Sequence, residues 1–136
     1  MRYLIDTNIV SEMRKETRAN RGVRAWMMAN DPALSALSVI TIGEIRAGIE
    51  EKRHDDPLRA AAIEAWLHGL IAEMAERILP VSIETAETWG RLSAGRPRPV
   101  ADALLAATAL EHDLTLVTRN VADFKGTGVR VLNPWK

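Results

Sequence analysis

The stretch Val100–Thr118, VADALLAATALEHDLTLVT, decides the fold. Its first part, Val100 to His112, is apolar nearly all round, the mark of a buried helix rather than one lying on a surface. Its last part, Leu114-Thr115-Leu116-Val117-Thr118, is a continuous β-rich run, as in a strand covered on both faces. Such a strand belongs in a parallel sheet enclosed by helices, so the rest of the chain is expected to alternate between the two periods.

Upstream, Tyr3-Leu4-Ile5 reads as a short buried strand, and Asp6-Thr7-Asn8 can cap a helix running through Met13. A second helix covers Val23 to Met28 and stops before Asp31-Pro32. Ala33 to Ser38 reads as a strand, and Val39 to Glu51 as a helix with Ile42, Ile45 and Ile49 on one face. After Pro57, the residues Ile63, Trp66, Leu67, Leu70, Ile71 and Met74 fall at amphipathic helical intervals. Ile78 to Ile83 is expected as a strand interrupted or edged by Pro80. Glu84 to Ser93 is helical, and Gly95-Arg96-Pro97-Arg98-Pro99 breaks the chain. Downstream, a helical turn near Asn120 to Phe124 and a last strand, Val129 to Leu132, complete the series. The alternation predicts an α/β fold, a three-layer sandwich with a mostly parallel central sheet and helices on both faces. No repeat or linker divides the chain, so residues 1–136 are expected to form a single domain.

Composition excludes several classes. There is no cysteine, hence no disulfide framework and no thiolate metal site. No apolar run reaches the ~20 residues of a membrane span, and Asp6 falls too early for a signal peptide, so a soluble cytoplasmic protein is expected. Acidic and basic residues balance at 18 each. Two basic segments, Arg14, Lys15, Arg18, Arg21 and Arg24, and then Arg91, Arg96 and Arg98, either line solvated helix faces or hold a phosphate backbone through local field.

Four carboxylates stand out against this frame. Asp6 follows the first strand, at the sheet edge where open parallel sheets gather functional groups, though a helix N-cap is an ordinary role for aspartate there. Glu44 completes a capping box if Thr41 begins its helix, but lies in the second turn if Ser38 is the cap. Asp102 is the only charged residue between Val100 and Leu110, and a buried carboxylate needs a partner or a cation. The positive end of its helix could also account for it. Asp123 follows the buried strand and could instead close a small cap with Asn120. Two unit charges 4 Å apart repel by ~4 kcal/mol at an effective dielectric near 20, so a cluster of these acids calls for compensation. A divalent cation supplies it, and an all-oxygen set favours Mg²⁺ or Mn²⁺ over zinc. His54, His68 and His112 lack zinc-site spacing. The chemistry indicated is phosphoryl transfer to water without a protein nucleophile.

Leu4-Ile5-Asp6-Thr7-Asn8 resembles the opening of PIN-domain nucleases. Pro99-Val100-Ala101-Asp102, Thr118-Arg119-Asn120-Val121-Ala122-Asp123-Phe124 and Val131-Leu132-Asn133-Pro134-Trp135 closely resemble the VapC toxins, especially their FitB-like branch. The resemblance spans nearly the whole chain. It implies a PIN-domain-like sandwich and a Mg²⁺- or Mn²⁺-dependent endoribonuclease, the toxin of a bacterial type II toxin–antitoxin pair. By position, Asp6 and Asp102 would be core metal ligands, with Glu44 and Asp123 binding directly or through water. Thr7, Asn8, Thr118 and Asn120 would be supporting polar residues, and Arg119 a contact to phosphate or to the antitoxin. The resemblance also implies an RNA substrate, a homodimer, and a VapB-like antitoxin that alone contacts operator DNA. The Trp66 face would serve dimer or antitoxin, or simply the core.

Two other carboxylate enzymes fit worse. A haloacid-dehalogenase-like phosphatase wants a second aspartate where Asn8 stands, and a receiver domain wants a lysine after a late strand, where Thr118, Arg119 and Asn120 stand. A non-catalytic homologue acting in a DNA-bound complex is the reading from a different class; four retained acids argue against it.

Overall fold

The computed structural model describes all 136 residues. Five strands, β1 (Tyr3–Ile5), β2 (Ser35–Ser38), β3 (Ile78–Leu79), β4 (Thr115–Val117) and β5 (Val131–Leu132), form one sheet in the order β3-β2-β1-β4-β5. Every pairing is parallel. Six helices connect them: α1 (Thr7–Met13), α2 (Arg21–Ala29), α3 (Val39–Asp55), α4 (Pro57–Met74), α5 (Ile83–Ser93) and α6 (Val100–Glu111).

Alternate residues of each strand feed opposite faces, as the strand period requires. Ile5, Leu37 and Val117 enter one core with Ile9, Val23, Ile45, Ile49, Ile63 and Leu67 from the first four helices. Leu4, Ala36, Leu116 and Leu79 enter the other with Leu105, Ala106 and Ala109 of α6. Both faces are thus covered, and the strand at Leu114–Thr118 has the environment its composition predicts.

Several boundaries differ from the sequence reading. The strand expected over Ile78–Ile83 ends at Leu79, because Pro80 cannot donate to a ladder and β3 lies at the sheet edge. Ser82 then caps α5, which begins at Ile83 rather than Glu84. The strand expected from Ala33 starts at Ser35, after a short 3-10 turn at Pro32–Leu34. The last strand begins at Val131 rather than Val129. α2 starts two positions earlier than expected, at Arg21, because the Asn20 side chain accepts from the N–H groups of Gly22 and Val23. α3 continues past Glu51 to Asp55, and α6 stops at Glu111. No helix is long and apolar enough to cross a membrane.

The topology places the site. The chain builds β1, β2 and β3 outward in one direction, then returns to lay β4 on the other side of β1. Beyond the carboxyl ends of β1 and β4 the strand order reverses, and crevices open at such switch points.

Candidate active site at the carboxyl edge of the sheet

Ile5 and Val117 are register partners in the β1–β4 pair, so Asp6 and Thr118 leave the sheet side by side. The Asp6 N–H still donates to the Val117 carbonyl, at 2.9 Å. Asp6 is buried at 6% exposure and caps α1. One carboxylate oxygen accepts from the Thr7 N–H at 2.7 Å. The other accepts from Thr118 Oγ1 at 2.8 Å and from Asn8 Nδ2 at 3.2 Å. The capping role considered for Asp6 is thus real, and its second oxygen is held apart from the cap by Thr118 and Asn8. Thr118, fully buried, also accepts the Asn120 N–H at 3.0 Å. Asn8 Oδ1 receives the Arg119 N–H at 3.2 Å.

Thr7 links the first acid to the second: its hydroxyl donates to Glu44 Oε1 at 2.6 Å and lies 3.3 Å from Thr41 Oγ1. The ambiguity over Glu44 is resolved by Ser38, which accepts the Ile40 N–H and caps α3. Glu44 is thus in the second turn, on the α3 face toward Thr7. Asp102 stands half-buried in the first turn of α6, whose Pro99 cap offers no side-chain oxygen. Asp123 is exposed on a 3-10 turn at Val121–Phe124, and the cap considered with Asn120 reduces to a backbone bond, Asp123 N to Asn120 O, at 3.1 Å.

The four acids share one field. Burial, followed by the negative charges of Asp123, Asp6 and Glu44, pushes the Asp102 carboxyl above the usual aspartate range. No lysine or arginine forms an ion pair with any of the four. The carboxylates of Asp102 and Asp123 accept no hydrogen bond from the protein, so their lone pairs remain open. This all-oxygen set fits a hard divalent cation. The side chains do not close into a ready ligand cage of three or more.

Sequence reasoning weighed Thr41 only as a helix cap, met Trp135 only within a longer motif, and did not single out Glu12. Glu12, buried on α1, pairs with Lys15 at 2.8 Å and accepts the Asn20 N–H at 2.7 Å. Its signal is the single acid in an otherwise uncharged turn, too common to notice. Trp135 lies under the Arg119 guanidinium, 4.3 Å from the ring centre. The face of α4 expected to serve core or partner packs on the core at two positions and lines a cavity at three others. Ile63 and Leu67 are buried, while Trp66, Leu70 and Met74 line an apolar cavity of about 270 Å³ with Trp26 and Met27. None of the four acids borders that cavity.

Comparison with known proteins agrees with this architecture. The family model described as PIN domain matches residues 3–128. The chain is 30% identical to a VapC ribonuclease of Sinorhizobium fredii, with 98% of this chain and 97% of the relative covered. It is 31% identical to toxin FitB of Neisseria gonorrhoeae, with 97% of each covered. Among solved structures, FitAB bound to a DNA fragment contains a chain that superposes with a TM-score of 0.81 at 29% identity, covering 98% of this chain and 96% of that one. The chain belongs to the PIN-domain family, in the group that holds the VapC ribonucleases and the FitB toxin.

Proposed function

We propose that this protein is a Mg²⁺-dependent endoribonuclease, able to use Mn²⁺, and the toxin of a bacterial type II toxin–antitoxin system, with the whole chain acting as one PIN domain. The observation that carries the reading is the gathering of Asp6, Glu44, Asp102 and Asp123 at the sheet's switch point, with no basic side chain paired to any of them. Asp6 and Asp102 are assigned as the core ligands, and Glu44 and Asp123 as ligands acting directly or through water. Bound there, the cation would neutralise phosphate charge and supply an acidified water for attack on a phosphodiester. Thr118 and Asn8 hold the Asp6 carboxylate in one orientation, and Thr7 does the same for Glu44. Asn120 in turn fixes the Thr118 hydroxyl through its N–H. Such outer contacts keep ligand lone pairs aimed before the metal arrives.

The substrate class is structured RNA, with tRNA or rRNA expected. A VapB-like antitoxin would inhibit the toxin by placing a basic or bulky side chain in the acidic pocket, and operator DNA would be reached only through it. A homodimer in the cytoplasm completes the assignment. Relatives named as ribonucleases and toxins, a solved relative bound to a DNA fragment and another in a toxin–antitoxin complex support it. Purified protein freed of antitoxin is expected to cut structured RNA with Mg²⁺ or Mn²⁺ and not in excess chelator. Asp6→Asn and Asp102→Asn are each expected to abolish cutting. Cleavage that survives either substitution, or persists in chelator, overturns the reading.

A further inference from the structure

Arg119 is the first residue past the Asp6–Thr118 contact, tied to it through its N–H on Asn8. Its side chain is exposed and enters no ion pair, yet it is not loose: the guanidinium lies over Trp135 at 4.3 Å. Trp135 belongs to a segment beyond the residues matched by the family model, and this segment is firmly built in. Its ring is partly buried and packs against the core that includes Ile9, Val10 and Val23. Its N–H donates to Asn133 Oδ1 at 3.0 Å. Asn20 bonds Lys136 twice, accepting its N–H at 3.0 Å and donating to its carbonyl at 2.6 Å. The Pro134 carbonyl lies so close to Gly22 that a Cβ there would sit 2.1 Å away, so only glycine admits this approach. The Asn20 N–H is held in turn by Glu12, whose carboxylate feels the charge of Arg119.

We infer that the segment Asn133–Lys136 is a brace that holds Arg119 at the rim of the acidic pocket as the phosphate anchor for RNA, with Trp135 the positioning residue. The inference rests on the ribonuclease reading and deepens it. An acidic pocket repels a polyanion, so a cation at its edge aids docking of the strand. A free arginine would lose its rotamer freedom on binding, whereas one stacked on indole has lost it beforehand. Indole is the best aromatic face for this purpose, and phenylalanine retains part of the effect while leucine keeps only the bulk.

The test compares Arg119→Ala, Trp135→Leu, Trp135→Phe and the Arg119→Ala/Trp135→Leu double variant. Cleavage is measured with Mg²⁺, and binding of a fluorescein-labelled RNA hairpin with Ca²⁺ in its place, each over a range of salt. Arg119→Ala is expected to raise KM and Kd about tenfold, the scale of one charge-assisted hydrogen bond, with kcat within about twofold. The slope of log affinity against log salt should fall by about 0.7, one phosphate contact on a single strand. Trp135→Leu should reproduce both changes, Trp135→Phe should restore most of the affinity, and the double variant should be no worse than Arg119→Ala. Matching melting temperatures separate this from general loosening of the fold. An unchanged salt slope in Trp135→Leu, or additive losses in the double variant, overturns the inference, whether or not antitoxin binding suffers. Wild-type protein that binds the hairpin without cutting it would sink the ribonuclease reading alone, and one that neither binds nor cuts would sink both.

Discussion

Thr118 Oγ1 donates to Asp6 and accepts from the Asn120 N–H and from Asn8 Nδ2, so valine at this position keeps the shape and removes all three bonds. Loss of an outer contact of this kind typically costs about 10–100-fold in metal affinity or activity. Thr118→Val is therefore expected to move the Mg²⁺ midpoint of cleavage upward by that order, as read from cleavage rates titrated with Mg²⁺. Glu12 tests the opposite case, a buried carboxylate with structural work. The Lys15 hydrogen bond holds its carboxyl below the usual glutamate range against the opposing effect of burial, aided by the Asn20 N–H and the charges of Lys15 and Arg119. A depressed pKa means that Glu12 stabilises the fold above the ordinary glutamate pKa and that this contribution is lost as pH falls. Glu12→Ala strands the Asn20 N–H and should cost ~1–3 kcal/mol in denaturant unfolding at neutral pH. Glu12→Gln should flatten the acid limb of the stability profile; a profile parallel to wild type would refute the assignment.

At the level of elements, α5 shows how a helix start is fixed from outside. Ser82 caps it reciprocally with Thr85, and Glu111 from the end of α6 accepts from both hydroxyls. Ser82→Ala removes the cap acceptor and one partner of Glu111, and should lower stability by ~0.5–2 kcal/mol in thermal unfolding. A negligible change would mean that water replaces the cap without cost. Elements with strong periodicity were legible in the sequence: the enclosed strand at β4, the apolar α6 and the face of α4 follow from local composition. Starts and stops were less so, since they depend on which of several polar residues turns toward the backbone. Ser38 and Thr41 are both residue types able to cap α3, and the cap falls at Ser38, where β2 ends and the helix starts at Val39. Asp102 was readable because a charge on an apolar helix needs a reason. The Arg119–Trp135 stack was not, because it joins positions brought together only by β5, Asn20 and the glycine at position 22.

Across the whole molecule, the four acids come from the cap of α1, from α3, from α6 and from the turn after β4, and folding itself brings their charges together. The fold therefore carries a charge repulsion that a cation bound as proposed would relieve, the usual trade of stability for function at a built site. The sign is fixed by Asp102. Burial first, then Asp123, Asp6 and Glu44, raise its pKa above that of the unfolded chain. A raised carboxyl pKa favours the protonated folded form, so stability from this group is present at low pH and is lost as pH rises through the folded-state value. At neutral pH in chelator, Asp102→Asn is thus expected to melt a few degrees above wild type, and the advantage should vanish on acidification. With Mg²⁺ at a hundred times its dissociation constant, wild type should gain about 2.7 kcal/mol by mass action, whereas Asp102→Asn should gain little, so the order of melting temperatures reverses. Calorimetry of both proteins in chelator and in Mg²⁺, at neutral and acidic pH, measures all four states. An Asp102→Asn protein less stable than wild type in chelator would show that Asp102 is paired within the fold, and that the site does not hold charge in reserve for a metal.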